Sequence, residues 1–188
     1  NPKYFKFITL TDPRRSGTAS TMNNIVLQSM GWDKGWQLLT EIAGNTSKFT
    51  HSSSDPIKAV VAGDAAVSMV IDFYALSQVM ELGEDNLGFT MPEGQTILDP
   101  DPVAILKGAP NAKTAERFVE FLLTKEAQKL WLLPTGKKGG PKLNKMGRMA
   151  VNTEAYKETE GQRLFAYNPF KAKAFLNLDV DKYAKLQE

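Results

Sequence analysis

The feature that most restricts the fold is an alternation along the first half of the chain. Short apolar runs at residues 4–10, 48–51, 65–71 and 87–91 have strand length. Between them, apolar residues recur at helical spacing, as in Met22, Ile25, Val26 and Met30, or Trp36, Leu39, Ile42 and Ala43. Strands that alternate with helices predict an α/β fold with a mostly parallel, doubly wound sheet. The run Ala65 to Ile71 is nearly continuous in apolar residues, which predicts a central parallel strand. Right-handed crossovers place successive strand ends along one edge, and ligands bind outside those ends. Three polar segments are expected there: residues 12–18, 52–54 and 72–74.

The first of these has the layout of an anion site. The run Tyr4, Phe5, Phe7, Ile8, Leu10 predicts a buried strand that stops at Pro13, and a helix follows from Thr18. The first N–H groups of a helix lack internal partners and carry partial positive charge. Gly17 admits a close approach, Ser16 and Thr18 offer hydroxyls, and Arg14 and Arg15 offer fixed charge. An ordinary capped helix stays open as the other reading. In the second segment Ser53 and Ser54 precede Pro56, with Ser54 as the expected N-cap. In the third, Asp72 brings negative charge, which suits a zwitterion or a cation carrying its own counter-anion. Tyr74 offers a donor or, as a phenolate, a ligand for a hard metal. A plain strand-to-helix cap is the alternative for that pair. Trp32 and Trp36 are expected in the core.

The second half changes character. Asp99-Pro100-Asp101-Pro102 is a rigid connector, and residues 103–106 predict a strand. Gly108-Ala109-Pro110-Asn111 is expected to turn into a helix with Ala115, Phe118, Val119 and Leu122 on its apolar face, and further helices are expected from Thr124, near 153–160 and near 179–187. Residues 134–149 lack periodicity and predict a loop. Gly136-Lys137-Lys138-Gly139-Gly140 lacks the spacing of a phosphate-binding P-loop and reads as a flexible basic linker.

Composition excludes several classes. The 23 basic and 21 acidic residues give a net charge of +2, which indicates no nucleic-acid partner. With no cysteine there are no thiolate metal sites or disulfides. His51 is the only histidine and no nucleophile elbow occurs, so no enzyme and no cofactor are expected. No apolar run is long enough to span a bilayer. The abrupt start at Asn1-Pro2 and the stop at Gln187-Glu188 suggest a piece of a longer protein.

Three segments in order resemble a known family: residues 12–19 (Asp-Pro-Arg-Arg-Ser-Gly-Thr-Ala), residues 59–67 (Ala-Val-Val-Ala-Gly-Asp-Ala-Ala-Val) and the stretch 102–128. Together they resemble the extracellular solute-binding proteins of ABC importers, in the branch that includes ferric-iron, phosphonate and thiamine binders. The resemblance covers residues 4 to about 135 and implies a type II periplasmic-binding-protein lobe. It implies a second-lobe core over 1–101, a segment crossing to the first lobe over 102–134, and a linker and return over 135–188. The family's anion loop maps onto Ser16, Gly17 and Thr18. Ferric binders carry two adjacent tyrosines where this chain has Phe73-Tyr74. The expected ligand is therefore a small organic anion of phosphonate or phosphate type. Arg14, Ser16, Gly17, Thr18, Ser53, Ser54, Asp72 and Tyr74 are the expected contacts. Ferric ion held by Tyr74 with a synergistic anion, and a sensor or enzyme reusing the lobe, are the alternatives. The resemblance also implies a periplasmic, or extracellular and membrane-associated, location and an ABC permease as partner. It would leave Phe118, Val119, Leu122, Leu130 and Trp131 on an exposed stripe, so self-association through residues 103–132 is expected.

Overall fold

The computed structural model describes residues 2–171, 175–179, 181 and 182. They fall into two compact units, Asn1–Ile97 with Lys173–Glu188, and Leu98–Ala172. The helix expected near 179–187 lies largely outside the described residues.

The first unit holds a parallel sheet with β1 (Ile8–Thr11) between β2 (Thr46–Thr50) and β3 (Val67–Ser68). β1 pairs Thr9 with Lys48 and Thr11 with Thr50 on one side, and Ile8 with Val67 on the other. The central strand is thus β1, not the 65–71 run. That run supplies a two-residue edge strand, and Val67 is half exposed. Where its backbone leaves the ladder, the Ser68 hydroxyl donates to the Thr9 carbonyl at 2.6 Å. The strand expected over 4–10 begins only at Ile8. A 3-10 turn at Pro2–Tyr4 and a positive φ of 61° at Lys6 divert the chain, leaving Tyr4, Phe5 and Phe7 exposed.

Among the described residues, four helices complete this unit: α1 (Gly17–Met30), α2 (Trp32–Gly44), α3 (Asp55–Val61) and α4 (Asp72–Leu82). Gly31, at φ 82°, ends α1 and opens α2, a conformation that glycine adopts without steric cost. The two helices then fold back tightly. A Cβ on Gly35 would stand 2.9 Å from the Leu27 Cα, and Leu27 is fully buried. Leu10, Ala19, Leu39, Ile57, Ala65, Ala75 and Leu76 are buried with it in this unit. Trp32 and Trp36 are not core; both are about 40% exposed and meet edge to face at 5.8 Å. Residues 87–91 form no strand. Leu87 N–H bonds the Gly83 carbonyl, and no ladder partner meets the segment among the described residues.

The second unit holds α5 (Ala112–Leu122), α6 (Lys125–Leu132) and α7 (Thr153–Glu158). Residues 103–106 form no strand, so the expected one is absent among the described residues. Thr124 caps α6 by accepting from the Ala127 N–H, and Asn152 caps α7 in the same way. Leu132, Ala150, Ala155 and Tyr156 form the core, with Trp131 and Phe165 packed against it. Trp131 is therefore not part of an exposed stripe. Buried Gln128 donates to the Leu122 carbonyl and accepts from the Val151 N–H at 2.7 Å, tying three segments together. Glu158 bonds both Lys125 and Lys129, which holds its carboxyl down at about 2. Among the described residues no helix is long and apolar enough to cross a membrane.

Candidate functional site

Parallel pairing puts the ends of β1, β2 and β3 along one edge of the sheet, where three connections leave for α1, α3 and α4. The first two connections are laced together. The Asp12 N–H donates to the Thr50 carbonyl at 2.9 Å. Thr11 and Thr50 both direct their hydroxyls to the Ser52 carbonyl, at 3.3 and 3.2 Å. These threonines are buried, so their hydroxyls need such acceptors.

At the start of α1 the sequence behaves locally as its residue types dictate. Ser16 is extended at φ −137°, and its Oγ accepts from the Ala19 N–H at 3.3 Å. That bond uses one first-turn donor. The Gly17 and Thr18 N–H groups meet no protein acceptor among the described residues. A Cβ on Gly17 would meet nothing within 4 Å, so the space above the helix start is open. The Ser16 hydroxyl hydrogen also stays available to donate outward.

Arg14 does not act as a free cation here. Its Nη2 and Nε bond the two Asp12 carboxylate oxygens at 2.7 and 3.0 Å, and its backbone N–H bonds Oδ1 at 2.9 Å. The guanidinium and these hydrogen bonds hold the Asp12 carboxyl at about 2. The guanidinium itself remains highly exposed. Asp12 is the residue that the sequence reading left out of the site.

The other expected residues, apart from Asp72, divide between two hollows. Thr18 and Ser53 line one of about 230 Å³ with Thr11, Met22, Trp36 and Phe49. Ser54 and Tyr74 line another of about 370 Å³ between α3 and α4, with Lys58, Ser77 and Gln78. Ser54 is not a side-chain cap for α3; its hydroxyl meets Ser52 Oγ at 3.1 Å. Lys58 bonds Asp55 at 3.0 Å and lowers the pKa of that carboxyl. The Asp72 carboxylate accepts from the Phe73 N–H at 2.7 Å at the start of α4. Tyr74 and Phe73 are both partly buried, with ring centroids 4.5 Å apart. His51 is exposed in the connection after β2. Among the described residues no cluster of three or more His, Asp or Glu residues could hold a metal ion.

An α/β lobe with polar connections at one sheet edge is the frame of a solute-binding module. The family model for bacterial extracellular solute-binding protein matches residues 1–136, and the chain belongs to that family. It is similar to the phosphoglycerate transport regulatory protein PgtC of Salmonella typhimurium, at 31% identity over 129 residues. That match covers 69% of this chain and 32% of the relative. An uncharacterized protein of Haemophilus influenzae is 29% identical across the whole chain, covering 49% of the relative. Among solved structures, the periplasmic binding protein AfuA of Actinobacillus pleuropneumoniae, with exogenous fructose-6-phosphate bound, superposes with a TM-score of 0.69 at 30% identity. That likeness covers 97% of this chain and 52% of AfuA. The chain thus spans about a third to about half of the length of these relatives.

Proposed function

We propose that this chain forms part of the substrate-binding component of an ABC import system for a small phosphate- or phosphonate-bearing organic anion. The observation that carries this reading is the open start of α1, with two acceptor-free N–H groups beside the Ser16 hydroxyl. Tetrahedral oxyanions accept several such donors at once, and the helix dipole favours their charge. The sugar phosphate in AfuA and the name of the Salmonella relative point to the same ligand chemistry. Thr18 and Ser53 reach this ligand from one hollow, and Tyr74 and Asp72 serve polar or cationic groups of a larger solute. The protein is a reversible binder rather than an enzyme, works in the periplasm and hands its ligand to a membrane permease. In the 188-residue chain, α5 has no buried residue, and the chain associates with itself through residues 103–132.

Calorimetric titration with inorganic phosphate, 3-phosphoglycerate, fructose 6-phosphate, fructose and ferric ion tests the ligand class. The phosphorylated compounds are expected to bind and fructose is not. Gly17→Pro is the decisive variant. Proline is accepted at the first helical position, extended Ser16 is compatible with a following proline, and only the N–H is lost. Affinity for the phosphorylated ligands should fall about tenfold or more, since hydrogen bonds to charged groups contribute roughly 1.5–3 kcal/mol. Unchanged affinity in this variant would remove the α1 start from the site. Ferric binding with a visible charge-transfer band that is lost in Tyr74→Phe would favour the metal alternative.

A further inference from the structure

The basic loop that follows α6 is not the featureless linker that its composition suggests. The Lys137 N–H bonds the Pro134 carbonyl, the Gly140 N–H bonds the Lys137 carbonyl at 2.8 Å, and the Gly136 N–H bonds the Pro141 carbonyl at 3.0 Å. Gly136 and Gly139 both sit at φ 81°. A Cβ on Gly140 would lie 2.7 Å from the Pro134 carbonyl oxygen, so the turn is packed down against the end of α6. A turn built this way presents its side chains from a fixed base.

Charge is sharply segregated here. Between Glu126 and Glu154 the chain carries Lys129, Lys137, Lys138, Lys142, Lys145 and Arg148, with no acid. Lys129 is held by Glu158, and Arg148 meets Asp101 at 3.4 Å. The other four lysines are exposed and have no ion pair among the described residues. Between and beside them Leu143 is 86% exposed and Met146 is 47% exposed. An exposed leucine alone is unremarkable, but one set among four unpaired cations on and just after a braced turn matches a specific chemistry. Anionic headgroups attract such cations, and an apolar side chain between them enters the acyl boundary. An acidic protein surface satisfies the lysines yet leaves Leu143 without a role.

We infer that residues 137–146 form a docking surface for an anionic phospholipid bilayer. Sedimentation of the whole chain with vesicles tests this, using phosphatidylcholine alone or mixed with phosphatidylglycerol. Binding is expected only to the mixed vesicles, and it should weaken as salt rises from about 50 to about 300 mM because the Debye length shortens. Reversing Lys137, Lys138, Lys142 and Lys145 to Glu should weaken binding about a hundredfold or more. Leu143→Asp should weaken it about tenfold while keeping the salt dependence. A control set of the same charge change at exposed positions outside both surfaces, K34E/K48E/K157E/K171E, should retain binding. Failure to bind the mixed vesicles, equal binding to both kinds, or equal loss in the control would overturn the inference. So would binding to poly-glutamate as tight as to vesicles with Leu143→Asp without effect, which would point to an acidic protein instead.

Discussion

Asp12 sits two residues before a guanidinium and four before the cap of the helix whose start we assign to an anion. Its carboxylate fixes Arg14 in a fork-like pair and keeps that charge beside the sheet edge. Its folded pKa of about 2 lies below the unfolded value of roughly 3.9, so its contribution to stability is complete above about pH 4. That contribution disappears as pH falls through about 2, when both states bind the proton. The thermal midpoint of the wild type should therefore drop over that interval. Asp12→Asn should start lower at neutral pH and lose less on acidification, so the two curves converge at low pH. Some slope should persist in the variant, because Glu158 is depressed in the same direction. Parallel curves would show that the pair contributes nothing to folding. The Ser16 cap was legible because hydroxyl, glycine and hydroxyl before an amphipathic run state their purpose locally. The Asp12–Arg14 pair was not, because facing at two-residue separation depends on how a turn closes.

At the scale of elements, α1 and α2 pack through a glycine. Gly35→Ala would gain about 0.5–1 kcal/mol of helix propensity. It would also drive a methyl into the backbone at Leu27, where nothing flexible can yield. Overpacking of this kind costs about 1–3 kcal/mol, so the urea midpoint should fall despite the better helix former. A raised midpoint would mean the two helices separate freely. Helices were the readable elements, because caps, stops and periodicity all lie within a dozen residues. Thr124 and Asn111 stand at the helix starts where they were expected. Strands were less readable. Runs such as 87–91 and 103–106 have strand chemistry but find no ladder, and pairing is decided by distant partners. The same cause demoted 65–71 to an edge and promoted β1 to the centre.

For the whole molecule, the most consequential surface is the bare side of α5. Phe118 is 58% exposed, Phe121 48% and Leu123 57%, with Leu106 nearby in sequence at 80%. Contiguous apolar surface of this kind is rare on soluble monomers. Lys113, Glu116, Arg117 and Glu120 flank the stripe and make no ion pair among the described residues. Two copies of the helix crossing antiparallel near Phe118 would bring Arg117 against the opposite Glu120 twice over, as a two-fold contact requires. Sedimentation velocity of the 188-residue chain should show a dimer, and Phe118→Asp should shift it to monomer. A monodisperse monomer of the unaltered chain would end this proposal. The location of this stripe was legible from periodicity. Its membership was not, because Trp131 packs against the cluster that holds Tyr156, a residue more than twenty positions away.

The hydroxyl lacing between the ends of β1 and β2 has a kinetic meaning. Because the Asp12 amide donates to the Thr50 carbonyl and the Thr11 hydroxyl to the Ser52 carbonyl, the first connection cannot open to solvent without breaking bonds to the second. A solute settling at the start of α1 would thereby slow fluctuations around Ser52 that it never touches. Its residence time would depend on threonine hydroxyls beneath it as much as on the donors that face it.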